Sequence, residues 1–464
     1  MKIEQLYTNC LAEAAYFIED NGECAIIDPI RETQPYLDKI AASGTKLKYI
    51  FETHFHADFV SGHVDLAAKT GAQIVYGPGA STEYAIVNAT DGEEFKVGRL
   101  TIKAIHTPGH TLESTCWLLT DANGNAHCIF TGDTLFIGDV GRPDLAIKSD
   151  LTTNDLAGML YDSLRNKVMT LPDETIVYPA HGAGSSCGKN MSKETFDTLG
   201  HQKQVNYALR PGLSKDQFIA ELTCGIMPPP QYFAKNAALN KQGYQSIEIV
   251  LKAADKQLSV ADFKTEMTKG AYVMDVRHQQ EFAKGFIPGS AFFGLDGTFA
   301  IWVGTLLENI NTPILLVTPP GREQEAVTRL ARVGYDNVVG VLSGGFDSWK
   351  NAGEPIDTIT SISAETFAER FTNGEINVLD VRKPSEYESG HLPNVENKPL
   401  DFYLNQWSHI PQGKPYFIHC AGGYRSMIYA SLLRKAGYQD LIDVDGGFGK
   451  IKTTGLEIVT EQLA

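Results

Sequence analysis

Thr53-His54-Phe55-His56-Ala57-Asp58-Phe59 closes an apolar run that begins near Lys48, and the first fold of the chain is read from it. Two imidazoles two residues apart, with a carboxylate two further on, do not share a helix face, where neighbours lie three or four apart. At the end of a strand, residues of equal parity turn to one side. His54, His56 and Asp58 can therefore converge on one metal ion or on two adjacent ones. Position 59 holds Phe, which offers no ligand atom.

Three later stretches repeat the same device of a polar residue placed just past a strand. Thr107-Pro108-Gly109-His110-Thr111 turns at Pro-Gly and presents His110. Phe130-Thr131-Gly132-Asp133-Thr134 places a carboxylate, and Tyr178-Pro179-Ala180-His181-Gly182 a further imidazole. One such residue is ordinarily a hydrogen-bonded loop group; four sites within one segment point to a metal. The segment reads as alternating strands and helices. Ala14–Glu19 and Cys24–Asp28 are expected to pair across a turn at Asn21-Gly22. A helix is expected over Pro35–Ser43, ended by Gly44, and another from about Asn154 to Met169.

Composition narrows the class. The chain has 464 residues, so about three domains of roughly 150 residues are expected. Its net charge of −16 argues against a nucleic-acid partner, because phosphate binding favours a basic surface. Seven scattered Cys without a Cys-x-x-Cys pair suit a reducing compartment rather than a disulfide framework. No apolar run approaches the roughly 18 residues that cross a bilayer. The expectation is a soluble cytoplasmic protein with no membrane partner.

Residues 211–256 read as a helical appendage interrupted by Met227-Pro228-Pro229-Pro230. Beyond them the chain repeats itself at a spacing of about a hundred residues. Asp275-Val276-Arg277 recurs as Asp380-Val381-Arg382, and Glu281, Gly285 and Pro288 as Glu386, Gly390 and Pro393. Gly344-Gly345-Phe346 recurs as Gly446-Gly447-Phe448, and the strand Ile314–Val317 as Tyr416–His419. The expected division is 1–256, 257–356 and 360–464.

In the second copy the strand runs into Cys420-Ala421-Gly422-Gly423-Tyr424-Arg425-Ser426 and then a helix. Backbone N–H groups and the positive end of a helix dipole favour a thiolate at such a place, and Arg425 adds positive charge. The first copy has Thr318 in the Cys position, followed by Pro319-Pro320. A hydroxyl there cannot carry sulfane sulfur, and proline removes N–H donors.

The set His54-x-His56-x-Asp58, His110, Asp133 and His181 resembles the metallo-β-lactamase fold in its glyoxalase II and persulfide dioxygenase branch. The resemblance implies an αββα sandwich. Two-metal hydrolases of that family carry a further His where this chain has Phe59. For the persulfide dioxygenases it implies one Fe(II) per chain on His54, His110 and Asp133, with Zn possible through mismetallation. His56, Asp58 and His181 then orient ligands or water around that shell. The run Gly138-Asp139-Val140-Gly141-Arg142-Pro143-Asp144 also resembles that branch and places Arg142 near the thiol substrate, with Tyr178 as a further pocket residue. Cys187 follows His181 closely enough to be weighed as a sulfur relay, against the commoner role of a packing thiol.

The Cys420–Arg425 loop, with its upstream Asp-Val-Arg, resembles the rhodanese sulfurtransferases, so Cys420 and Arg425 are the expected catalytic pair. The whole is therefore similar to bacterial persulfide dioxygenase–sulfurtransferase fusions: a metallo-β-lactamase sandwich and two α/β rhodanese-like domains with parallel sheets, the first inactive. That implies oxidation of a low-molecular-weight thiol persulfide by O2 to sulfite, and exchange of sulfur among persulfide, sulfite and thiosulfate in sulfide detoxification. A zinc thioester hydrolase with attached sulfurtransferase domains and a sulfide-responsive scaffold remain open alternatives. A homo-oligomer is a possible assembly.

Overall fold

The computed structural model describes residues 1–145, 150–374 and 376–460. The chain divides into two compact units, Met1–Ile249 with Ala331–Gly334, and Val250–Leu330 with Tyr335–Ala464.

The first unit holds two six-stranded sheets. One runs in the order Lys2–Thr8, Glu13–Asp20, Glu23–Ile27, Lys46–Phe51, Gln73–Tyr76, Val87–Asn88. The other runs Asp197–Thr198, Ile176–Pro179, Ala126–Gly132, Thr115–Thr120, Leu100–His106, Glu94–Val97. Period-2 alternation assigns the faces. Trp117, Leu119 and Phe130 meet Tyr16, Ile27 and Phe51 between the sheets. Cys116, Leu118 and Ile129 point the other way, onto Leu160, Leu164 and Phe218 of the covering helices. Helix His63–Thr70 lies on the first sheet at Lys46–Phe51 and Gln73–Tyr76, and Lys39 of helix Gln34–Ser43 pairs with Glu4 of its edge strand, which completes an αββα sandwich.

Local chemistry accounts for several elements. Asn21 (φ 48°) and Gly22 (φ 81°) both adopt the left-handed region that a two-residue type I′ hairpin turn requires. Gly44 ends the first helix at φ 63°. A Thr152–Asp155 capping box starts the helix Thr153–Ser163. The α-helix expected to reach Met169 stops at Ser163 and continues as a π-helical turn, Leu164–Val168. The edge strand Lys2–Thr8 was not anticipated, because its one-sided, partly exposed pairing leaves mixed polar and apolar residues.

The second unit holds two five-stranded sheets of one topology. The first orders Gln257–Leu258, Val338–Leu342, Ile314–Val317, Tyr272–Asp275, Ala291–Phe292. The second orders Thr360–Ile362, Leu441–Val444, Tyr416–His419, Asn377–Asp380, Glu396–Asn397. Every pairing in both is parallel. Among the described residues no helix is long and apolar enough to cross a membrane.

Candidate metal centre and sulfur-transfer loop

Loops at the ends of four strands bring His54, His110, Asp133 and His181 together in the first unit, all buried. Close approach depends on glycine: a Cβ on Gly132 (φ 52°) would lie 2.5 Å from the Thr53 side chain, and one on Gly141 2.0 Å from the Asp133 carbonyl.

Hydrogen bonding fixes the tautomers of two histidines. Thr53 Oγ1 donates to Asp28 Oδ2 (2.8 Å), so its lone pair accepts from His54 Nδ1 (3.0 Å). His110 Nδ1 lies 2.8 Å from the Arg142 carbonyl, which only accepts. Both rings therefore carry their proton on Nδ1 and turn an Nε2 lone pair inward. The inward atoms meet a carboxylate: Asp133 Oδ2 is 3.4 Å from His110 Nε2 and 3.9 Å from His54 Nε2. His110 Nε2 and Asp133 Oδ2 are buried without a hydrogen-bond partner. Lone pairs facing one another with no proton between them are unfavourable unless a cation is shared, so this donor set fits a metal ion. Burial and the neighbouring His56 hold His54 well below the ordinary histidine value, which keeps its imidazole neutral. Burial alone would raise Asp133, but His181, His54 and His110 outweigh it and keep the carboxylate ionised.

The other polar residues of the cluster meet in ion contacts, while both nitrogens of His56, Nε2 of His181 and one oxygen of Asp58 make no hydrogen bond. His181 lies between two carboxylates, Nδ1 2.7 Å from Asp133 Oδ1 and Nε2 2.8 Å from Asp58 Oδ2. Burial disfavours its charge, yet Asp133 and Asp58 raise it well above the ordinary value. His56 turns from the centre toward Asp28 Oδ1 (3.0 Å) and Glu52 Oε2 (3.6 Å). Phe59 is fully buried with its ring 4.3 Å from that of His56 and 6.4 Å from that of His181, so apolar atoms fill the space beside them.

Cys187 is buried with its sulfur close to Asp58 and His181. Burial, then the charges of Asp58 and Asp133, push its thiol well up, which disfavours the thiolate a relay needs. Arg142 is committed within the protein. Its Nε and Nη2 donate to the two oxygens of Asp144 (2.6 and 2.7 Å), and the guanidinium also reaches the Ser186 and Met227 carbonyls. Tyr178 departs from expectation: its ring stacks on Phe130 in the sandwich core, because strand alternation turns it between the sheets.

Two contributors carry no local signal in the sequence. Asn240, on the helix Phe233–Gln242, donates to the His56 and Phe59 carbonyls (both 2.8 Å) and accepts from Ser61 N–H, holding the metal loop in place. Lys241, next to it, lies 4.8 Å over the Phe55 ring and lines a cavity of about 550 Å³. Ala57, Thr111, Glu113 and Asp144 line that cavity too. No local pattern marks either residue, since both act across about 180 positions; the helical appendage itself was the available signal.

In the second unit Cys420 ends the strand Tyr416–His419 and is buried. Its sulfur accepts from the Gly423 N–H at 3.1 Å. Gly446-Gly447-Phe448 braces the loop, with Phe448 N–H on the Cys420 carbonyl at 2.6 Å. A Cβ on Gly447 would lie 2.3 Å from that carbonyl. Arg425 forms a two-pronged pair with Glu386 (2.6 and 2.8 Å), whose carboxyl it holds below its usual range against the cost of burial. The sulfur thus sits against a backbone donor at a helix start.

Known proteins share these features. The Metallo-beta-lactamase superfamily model matches residues 8–181, and the Rhodanese-like domain model matches 259–352 and 363–454. A solved metallo-beta-lactamase from Staphylococcus aureus subsp. aureus COL is 30% identical, with a TM-score of 0.67 over 74% of this chain and 99% of that one. A protein of Schizosaccharomyces pombe named as a probable hydroxyacylglutathione hydrolase is 33% identical over 39% of this chain and 68% of its own length. A probable metallo-hydrolase of Burkholderia pseudomallei (strain 1710b) is 28% identical over 48% and 85%. With two lone-pair histidines and a carboxylate where the fold implies a metal, and a cysteine loop repeated in outline downstream, the chain belongs to the metallo-β-lactamase superfamily and carries two rhodanese-like domains.

Proposed function

We propose that the first unit is an iron-dependent persulfide dioxygenase and that Cys420 is the sulfur carrier of a coupled sulfurtransferase. One observation carries the reading: His54, His110 and Asp133 form a compact donor set, the two imidazoles held with Nε2 inward, while Phe59, which offers no ligand atom, fills the space beside His181. Two imidazoles and one carboxylate with open positions suit a single Fe(II), which would supply the redox chemistry of oxygen when bound. Thr53 and the Arg142 carbonyl orient the two imidazoles, and Asn240 holds the loop between them and Asp58. The cavity beside Ala57 and Thr111 has the size of a small-molecule site.

The proposed overall oxidation balances as RSSH + O2 + H2O giving RSH and H2SO3. A persulfide on Cys420 then transfers its outer sulfur to sulfite: the S–S bond to Cys420 breaks, a new S–S bond forms thiosulfate, and the electron pair returns to Cys420 as thiolate. Linkage in one chain raises the effective concentration of the shared sulfite. Sulfide detoxification is the role this chemistry serves.

The second reading, a thioester hydrolase, rests on the likeness to the Schizosaccharomyces pombe protein. Metal analysis of anaerobically purified protein, an oxygen electrode with small-thiol persulfides, and a thioester hydrolysis assay separate the two. Iron and persulfide-dependent O2 uptake, both lost in His110→Ala, are expected. Zinc with thioester hydrolysis and no O2 uptake would reverse the conclusion.

A further inference from the structure

The Cys-less repeat has no role in the chemistry above, yet it reaches the active loop of its sister. Tyr424 lies between Gly423, whose N–H donates to the Cys420 sulfur, and Arg425. It is the first residue of the helix Tyr424–Lys435. Its side chain leaves its own repeat. The phenol donates to the Gly294 carbonyl at 2.7 Å, and the ring meets Phe292 edge-on at 5.8 Å.

The silent repeat is shaped to receive this ring. A Cβ on Gly297 would lie 2.3, 2.5 and 2.6 Å from three of its atoms. Gly297 does not have a left-handed φ, so its backbone makes no demand for glycine; the tyrosine does. Two further contacts lie at seven and eleven positions along the same helix, on the same face. Ser431 Oγ accepts from the buried Phe292 N–H at 2.9 Å, and Lys435 Nζ donates to the Gly289 carbonyl at 2.6 Å. The helix that follows the cysteine loop is therefore fastened to the Cys-less repeat from its first turn.

We infer that the Cys-less repeat is a positioning module: its Phe292–Gly297 segment seats Tyr424 and so fixes the Cys420 loop for sulfur transfer. Tyr424 acts through its neighbours, since Gly423 supplies the N–H on the sulfur and Arg425 the adjacent cation. A ring displaced by Gly297→Ala has to retreat roughly 1 Å to regain ordinary contact near 3.5 Å, and it then loses Gly294. That shift is passed to the first turn of the helix and to the donors around sulfur.

The inference rests on reading Cys420 as the sulfur carrier, and its test separates the two. The full chain is assayed for transfer of sulfur from thiosulfate to cyanide. Alkylation of Cys420 by iodoacetamide is followed across pH by mass spectrometry of its peptide. Gly297→Ala is expected to lower kcat/KM by about tenfold or more, as misplacement of about an ångström does. It should also shift the pH profile of Cys420 alkylation. Tyr424→Phe, which removes only the hydroxyl, is expected to lose about fivefold. On a Tyr424→Ala background, Gly297→Ala should change activity by less than about twofold, because the ring it strikes is gone.

Equal losses from Gly297→Ala with and without Tyr424, or a Gly297→Ala single variant with native alkylation profile and activity, would overturn the inference. A wild-type chain inactive in sulfur transfer would overturn the assignment of Cys420, and the alkylation profiles would still decide the positioning role. Tyr424→Phe preserves the test if Gly297→Ala does not fold.

Discussion

The two rhodanese-like repeats carry the same scaffold and different centres. In the first, Asp275 grips Arg277 (2.6 Å), which donates to the Gly285 carbonyl (2.8 Å) and lies 4.1 Å over the Phe346 ring. In the second, Asp380 grips Arg382 (2.6 Å), which donates to the Gly390 carbonyl (2.8 Å) and lies 3.7 Å over Phe448. The repeated motifs thus brace the scaffold in both copies. The copies diverge around the cysteine. Asp380 pairs with His419 where Asp275 pairs with Val317, and Ile418 pairs with Asp443 where Leu316 pairs with Val341. The Cys420 copy has a buried imidazole, His419, and a buried carboxyl, Asp443, beneath its loop; the Thr318 copy has valine at both places.

The largest expected difference is chemical. Cys420→Ser should reduce sulfur transfer by at least about a thousandfold, as loss of a nucleophile does. Thr318→Cys should restore none of it, because Pro319 and Pro320 occupy the positions of Ala421 and Gly422. Measured transfer through the thiol introduced by Thr318→Cys would break the comparison.

Next comes the shared brace. Asp380→Ala and Asp275→Ala each leave a largely buried guanidinium without its partner, and both should destabilise the second unit by about 3–5 kcal/mol in denaturant titrations. A large loss in one copy alone would show that the scaffolds are not equivalent.

Asp443 supplies a pH test that Val341 cannot. Burial raises its carboxyl to about 7, against the hydrogen bonds from Ser426 and Ser361. The unfolded chain ionises near pH 4 while the folded one stays protonated, so this contribution is full below pH 4 and is lost as pH rises toward 7. Asp443→Asn should flatten that decline, which amounts to a few kcal/mol at most. An unchanged stability profile between pH 4 and 7 would remove Asp443 as its source. Smallest is the aromatic lid of the brace: Phe448→Leu and Phe346→Leu should each cost about 0.5–2 kcal/mol, the shorter Arg382–Phe448 contact costing more.

Much of the sandwich and both repeats could be read beforehand, because strand alternation, Asn21-Gly22 and the recurring Asp-Val-Arg are local signals. Sheet order and the edge strand Lys2–Thr8 were less readable, since an edge strand has one partner and little alternation. At the metal centre the spacing could not tell His54 from His56: equal parity turns both to one side, yet Asp28 and Glu52 draw His56 away. The pairing of Arg142 with Asp144 was equally hidden, because a sequence shows a guanidinium but not whether it is already occupied.

Residue type and local order by themselves determined that this chain sets several imidazoles and carboxylates just past strands, puts Phe59, with no ligand atom, beside the first of them, and places one thiol ahead of a helix. Those properties belong to short runs of chain and survive any packing that preserves strand and turn. Tertiary structure alone decided which donors face inward, that Asn240 secures the metal loop across 184 residues, and that Gly297 leaves room for Tyr424. Each of these is a contact between distant segments, set by what already fills the space between them.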